Sequence, residues 1–265
     1  MKKIRFGVIG CGSIANEYHL PALQRVENAQ LVWACDLIEE RAQKAKEDFG
    51  FEKYTLDYHD IFKDESIDAV CIFTKIEMHA TLCIEAAAAG KHIFSQKPFA
   101  YNIEEGRKII RAVEAAGVRL TPSFMHSYMD GSIAARKIVE EGIIGEVRHI
   151  RMRNATKNPF DTAPSYGGCM MDIGCHGMDL IHTVSGADIE EVFALHLCPR
   201  DDTPRQAFGE KADLNGVENT AILNYRLSNG ATVFHEIFWT QVAQTNRFEM
   251  EIYGTKGVVY LYNPH

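Results

Sequence analysis

The sequence predicts an α/β protein in two parts: a doubly wound parallel sheet over residues 1–124, then an α+β domain over 125–265 built on a largely antiparallel open sheet. Three observations predict it. Short β-branched runs alternate with longer amphipathic stretches as far as residue 124, the rhythm of βαβ units. A glycine-rich turn joins the first apolar run to the first amphipathic stretch. After about residue 125 the rhythm changes to strand-length runs separated by turn signals such as Ser228-Asn229-Gly230.

In the first part, strands are expected at 4–9, 31–35, 69–73, 92–95 and 119–124. Most are continuously apolar, as strands covered on both faces must be. Helices are expected at 13–26, 38–49, 79–89 and 103–116, where apolar residues recur at helical spacing, and Gly90 and Gly117 stand where C-caps belong. In the second part the expected order is a helix at 131–141, a strand at 147–154, a turn at Gly167 and Gly168, and a helix at 173–184. Strands at 191–197, 218–227, 232–239, 247–253 and 258–262 follow, and Asp201 to Gly216 reads as a polar loop. The chain shows no internal repeat and no low-complexity segment.

With 265 residues, 46% of them hydrophobic, the chain can bury one large core or two modest ones, and domain sizes favour two. Its net charge of −8 argues against nucleic acid and anionic membranes as partners. No apolar run is long enough to span a bilayer, and the stretch after Lys2, Lys3 and Arg5 is short, broken by glycine and without a cleavage signature. A cytoplasmic protein is therefore expected. Its seven cysteines (11, 35, 71, 83, 169, 175 and 198) form no Cys-x-x-Cys pair and lie mostly in apolar runs, so they read as reduced core thiols.

Gly10-Cys11-Gly12-Ser13-Ile14-Ala15 closes the first strand and opens the first helix, matching the dinucleotide fingerprint G-x-G-x-x-G/A. Gly10 permits the tight turn, Gly12 lets the backbone approach a pyrophosphate, and the N–H groups at the helix start supply the positive end of its dipole. Gly10, Cys11, Gly12, Ser13 and Ile14 are thus expected to hold a dinucleotide. Asp36 ends the second strand, where a carboxylate accepts from a ribose diol and repels a 2′-phosphate. NAD is the expected cofactor; Arg41, close by, keeps NADP as the alternative.

Two clusters could carry chemistry. Ser95-Gln96-Lys97-Pro98 follows a strand at the sheet end where open α/β folds place ligands. Pro98 keeps Lys97 extended, and an ammonium there can stabilise an alkoxide as hydride leaves its carbon. A solvated surface lysine is the plainer alternative. In the second cluster, Asp172, His176 and Asp179 share one face of a helix, which gives a general base with a carboxylate to orient it. An N-capping aspartate followed by an ordinary buried histidine fits the same spacing. Cys169, Asp172, Cys175, His176 and His182 are close in sequence but form no zinc pattern, so no metal is expected. No Gly-x-Ser-x-Gly elbow suggests serine hydrolysis.

Taken in order, these motifs resemble the Gfo/Idh/MocA oxidoreductases, named for glucose-fructose oxidoreductase and inositol dehydrogenase. The resemblance spans nearly the whole chain. It rests on Gly10 to Ala15, Thr74 with His79, Lys97-Pro98, the turn at Gly142, Ile144 and Gly145, and Gly168 through Asp172, Gly174, His176 and Asp179. It implies an N-terminal Rossmann domain, a C-terminal domain whose open sheet supports homodimers or homotetramers, and a sugar or polyol substrate lying between them. The implied reaction moves a hydride between a secondary alcohol and nicotinamide. In it His176 accepts the proton, Asp172 is its partner and Lys97 binds the oxygen. Thr74, His79, Gln96 and Lys97 join the cofactor contacts, and His126 and Tyr166 join Lys97, Asp172 and His176 as candidate substrate contacts.

The chain departs from the family pattern at several positions. Gln96 stands for the usual glutamate before Lys97, Lys75 for a proline after Thr74, and His126-Ser127-Tyr128 for a stretch that often contains arginine. The family usually continues beyond the run at 257–262, so the chain is expected to be short at its C-terminus. Two other functions compete: a glycosidase that retains its nucleotide and oxidises transiently, and a nucleotide or sugar sensor without catalysis. The joint presence of Lys97, Asp172 and His176 argues against the sensor.

Overall fold

The computed structural model describes residues 2–156, 167–198, 218–239 and 248–263. It divides into two compact units, Met1–Ser123 and Phe124–His265.

The first unit has six strands, β1 (Ile4–Ile9), β2 (Ala29–Cys35), β3 (Lys53–Thr55), β4 (Ala69–Ile72), β5 (His92–Ser95) and β6 (Leu120–Pro122). They form one sheet in the order β3-β2-β1-β4-β5-β6, and every pairing is parallel. Alternate residues of the central strands enter two separate cores. Ile9, Val32, Val70 and Ile72 pack on one face, and Val8, Leu31, Ala34 and Cys71 pack on the other. A strand needed on both faces has no polar side, which explains the unbroken apolar runs in the sequence.

The connecting helices are α1 (Leu20–Leu23), α2 (Glu39–Phe49), α3 (His59–Lys63), α4 (His79–Ala88) and α5 (Ile103–Ala116). The Asn102 side chain caps α5 by accepting from Glu105 N at 2.9 Å, while the Glu105 carboxylate accepts from Tyr101 N at 3.2 Å. At its other end Gly117 takes the left-handed conformation.

Several expected boundaries are corrected. The stretch expected to be helical at 13–26 contains a π turn, Ala15–His19, and its helix ends at Leu23. Ala89 rather than Gly90 is the cap of α4, with φ −81°, and Gly90 turns the chain one residue later. The strand expected at 119–124 is only Leu120–Pro122. The sequence reading also missed β3 and α3, which have three and five residues. Neither is long enough to show a period.

The second unit has β7 (Val147–Ala155), β8 (Ile189–Cys198), β9 (Thr220–Leu227), β10 (Thr232–Phe238), β11 (Phe248–Gly254) and β12 (Val258–Asn263). Their order is β12-β11-β7-β10-β9-β8. All pairings are antiparallel except β7 with β10, the central pair, which is parallel. Alternate residues, such as Ile150 and Met152 of β7 and Val233 and Ile237 of β10, join a core with Leu180, Ile181 and Val184. Those three belong to α7 (Cys175–Ser185), and α6 (Asp130–Glu140) adds Ala135 to the same core. Burying each large aliphatic side chain contributes about 2 kcal/mol.

The helix expected at 173–184 begins earlier, because a π turn at Met170–Gly174 runs directly into α7. Asp172 therefore lies inside helical structure and is not an N-cap. Among the described residues no helix is long and apolar enough to cross a membrane. Cys11, Cys35, Cys71, Cys83 and Cys169 are buried free thiols, as expected, and Cys175 is partly buried.

Candidate active site

In the first unit the chain leaves β1 through a turn that requires glycine. Gly10 has φ +96°, and a Cβ there would stand 2.6 Å from Phe73 O. Its N–H donates to Cys35 O at 2.8 Å, which ties the turn to the end of β2. At Gly12 the situation is reversed, for a Cβ would meet nothing within 4 Å. The open space there is the cradle that a pyrophosphate needs. Ser13 and Ile14 are exposed at the start of the helical segment.

Asp36 is held by main-chain donors. Its Oδ2 accepts from Cys11 N and its Oδ1 from Ile38 N, both at 2.9 Å. The carboxylate is thus fixed beside the fingerprint loop, with lone pairs left for a ribose diol. Arg41 is exposed in the first turn of α2. Burial, with Asp36 adding to it, pushes the Cys11 thiol up to about 12 and keeps it protonated. Two residues that sequence reasoning missed also shape this end of the sheet. Asn16 Nδ2 donates to Cys11 O at 2.8 Å, and His19 stacks on Phe73 with ring centroids 4.2 Å apart. An open cradle, helix-start N–H groups and a fixed carboxylate fit a dinucleotide.

Thr74, His79, Gln96 and Lys97 come together at the ends of β4 and β5. His79 is buried, and its two ring nitrogens face Pro98 O at 2.9 Å and Thr74 O at 3.1 Å. It braces the two loops against each other, and burial lowers its pKa. Gln96 N donates to Ile72 O at 2.8 Å. The Lys97-Pro98 peptide is cis, and Lys97 is half-buried.

In the second unit Asp172, His176 and His126 are brought together, with 8%, 6% and 2% of their surface exposed. The His176 ring lies edge-on to His126 at 4.7 Å, to Phe124 at 5.8 Å and to Phe248 at 5.9 Å. His126 in turn stacks on Phe248 at 3.9 Å. Asp179 accepts from Ser127 Oγ, and burial raises its pKa despite that bond. Trp239 Nε1 donates to Asp172 Oδ2 at 3.0 Å.

The first turn of this helical stretch is capped from afar. Glu218 O accepts from Cys169 N at 3.0 Å, and Glu218 Oε1 accepts from Met170 N at 3.1 Å. Gly168, with φ +100°, makes room, since a Cβ there would collide with the Glu218 carboxylate. Phe124, Glu218, Trp239 and Phe248 were not identified from sequence. A tryptophan closing a strand-length run was the one available hint, because a buried indole N–H needs an acceptor. Tyr166 lies outside the described residues. Among the described residues no three His, Cys, Asp or Glu side chains converge to hold a metal ion.

Comparison with known proteins agrees with this layout. Residues 4–124 match the GFO/IDH/MocA oxidoreductase family, NAD-binding Rossmann fold, and residues 133–260 match the GFO/IDH/MocA C-terminal domain. Myo-inositol 2-dehydrogenase of Thermotoga maritima is 29% identical over 262 residues, which cover 98% of this chain and 75% of that protein. The crystal structure of a probable dehydrogenase from the same organism superposes with a TM-score of 0.87, at 29% identity, over 98% of this chain and 76% of the other. That of scyllo-inositol dehydrogenase from Lactobacillus casei, with bound cofactor NAD(H) and scyllo-inositol, gives 0.84 at 25% identity, over 98% and 76%. The chain belongs to the Gfo/Idh/MocA family of oxidoreductases, with an NAD-binding Rossmann domain as its first unit.

Proposed function

We propose that this chain is an NAD-dependent dehydrogenase acting on a secondary alcohol of a cyclic polyol of the inositol type or of a sugar. The observation that carries the reading is the pairing of Asp172 with His176 on one buried helical stretch, in a chain that also has the dinucleotide cradle at Gly12 and Asp36. Relatives named as inositol dehydrogenases, and the Lactobacillus casei structure holding NAD(H) and scyllo-inositol, support the substrate class.

Bound nicotinamide supplies the hydride acceptor or donor. The N–H groups of the segment from Gly10 to Ile14 would hold the pyrophosphate of a bound dinucleotide, and Thr74 and Gln96 would add further cofactor contacts. Asp36 accepts from the ribose diol and disfavours a 2′-phosphate, which sets NAD ahead of NADP despite Arg41. His176 removes the hydroxyl proton while Asp172 orients its ring and stabilises the charge it acquires. Lys97 serves as a donor to a substrate oxygen and stabilises negative charge that develops on it. His79 keeps the Lys97 loop in place through Pro98. His126 contacts the substrate, and the rings around His176 exclude water from its apolar side.

We assign the protein to the cytoplasm and to a homodimer or homotetramer. The second position rests on β10 and β12, where Phe234 and Phe238 are only half-buried and Tyr260 and Tyr262 are exposed.

The test is absorbance at about 340 nm while the protein with NAD meets a panel of inositols, other polyols and sugars. Turnover with one class, lost by about 100-fold or more in Lys97→Met at saturating NAD, is the expected result. No turnover by the parent chain with any class, despite NAD binding, overturns it in favour of the glycosidase or the sensor.

A further inference from the structure

Strand β10 meets the helical stretch bearing Asp172 at three spaced points. His235 and Ile237 alternate along the strand, and Trp239 follows it at the same interval, so the three project from one face. All three are buried. A Cβ at Gly177 would stand 2.6 Å from His235 Nε2, and one at Gly174 would stand 2.7 Å from Ile237 Cδ1. The two glycines thus let the helix settle onto the strand. The third contact is the Trp239 N–H bond to Asp172 Oδ2.

That bond is built to persist. Trp239 is 0% exposed, so no water competes for its N–H. Trp239 N donates to Asn219 O at 2.9 Å, and the adjacent Glu218 caps Cys169 and Met170. The strand end and the start of the helix are therefore pinned to each other on both sides of Asp172. Burial pushes His235 down to about 3, so the nearest imidazole on the strip is neutral and adds no charge to compete for the carboxylate.

We propose that Trp239 is a positioning residue for the reaction: its indole N–H fixes the Asp172 carboxylate in the orientation that supports His176. This rests on the catalytic roles given above to Asp172 and His176.

The experiment replaces Trp239 site-specifically with β-(3-benzothienyl)alanine, a near-isostere in which sulfur takes the place of the N–H. It is made in the parent chain and in Asp172→Asn. The expected result is a fall in kcat of about 10- to 100-fold in the parent, the size of a lost hydrogen bond to a charged group. KM for the polyol, NAD affinity and Tm should stay near parent values, and Asp172→Asn should lose nothing further from the same replacement. A merely structural tryptophan would shift Tm and affect both backgrounds alike. An isostere with kcat within about twofold of the parent, or an equal loss in the Asp172→Asn background, overturns the inference. If Asp172→Asn alone turns over at the parent rate, the catalytic assignment itself falls. An inactive Asp172→Asn beside a fully active isostere overturns only the role of Trp239.

Discussion

Two aspartates are fixed in contrasting ways. Asp36 is held by the backbone N–H groups of Cys11 and Ile38, within a turn whose shape follows from Gly10. Asp172 is held by a side chain 67 residues away, the Trp239 indole. The same contrast recurs at the helix starts. Asn102 and Glu105 cap α5 from within its own first turn, whereas Glu218 caps the stretch leading into α7 from 48 residues away. The first unit fixes its aspartate with main-chain donors at the strand ends, and the second fixes its own with a packed side chain. Added bulk should therefore cost binding at Gly12 of the first unit, where a Cβ meets nothing, and stability at Gly177 of the second, where it meets packed side chains.

The largest expected effect tests the second unit. In Gly177→Ala the new methyl collides with Asn154 Oδ1 and crowds His235 Nε2, in a buried chain that continues to Tyr225. Overpacking of this kind should cost about 3 kcal/mol, lowering Tm by about 10 °C. Thermal unfolding followed by circular dichroism reads it, and an unchanged Tm would mean that the helix does not rest on β10.

Gly12→Ala is the counterpart in the first unit. Its methyl meets no protein atom, so Tm without ligand should stay put while the Kd for NAD rises about 10- to 100-fold, or about 1.4 to 2.7 kcal/mol. Isothermal titration calorimetry measures it, and parent affinity would refute the cradle.

Acid should weaken the second unit through His235, whose folded pKa is pushed down to about 3 from the ordinary 6.5 by burial. Above pH 6.5 neither state binds the proton and this group adds no pH dependence. Between pH 6.5 and about 3 the unfolded chain binds it and the folded chain does not, so stability falls with pH by up to about 1.4 kcal/mol per unit. Urea unfolding at pH 7.5 and 5.5 should show this component in the parent and lack it in His235→Gln. His19 and His79 are also lowered by burial, so the difference between the two proteins is the quantity to compare. Asn102→Ala should have the smallest effect, about 1 kcal/mol, the ordinary loss of a helix cap. Asn102→Asp, which can still accept from Glu105 N, should restore most of it.

The contrast also explains what could be read in advance. The fingerprint turn and Asp36 depend on residues near in sequence or on a repeating strand-helix rhythm, so they were legible, whereas the Asn102 cap, though local, was found only in the structure. Asp172 and His176 were legible as a helical pair, because their spacing is a property of one element. Glu218, Trp239 and the Asn154-His235-Tyr225 chain were not, since their partners lie mostly far away in sequence and pairing at such distance leaves no local period. The parallel join of β7 to β10 was unforeseen for the same reason. The short elements β3 and α3 escaped because a lone edge pairing and one buried isoleucine, Ile61, suffice to hold them.

The β7-β10 join has a consequence for synthesis on the ribosome. His149 pairs with Thr232, 83 residues later. The first unit has all its strands once residue 123 has emerged, and can fold while translation continues. The second must then wait roughly 5 to 15 s for β10 to follow β7, at ordinary elongation rates. During that interval Leu180, Ile181 and Val184 of α7 have no completed sheet to cover them. Slow codons just after residue 123 would be harmless, whereas slow codons between residues 156 and 231 would lengthen the period in which the nascent chain depends on chaperones.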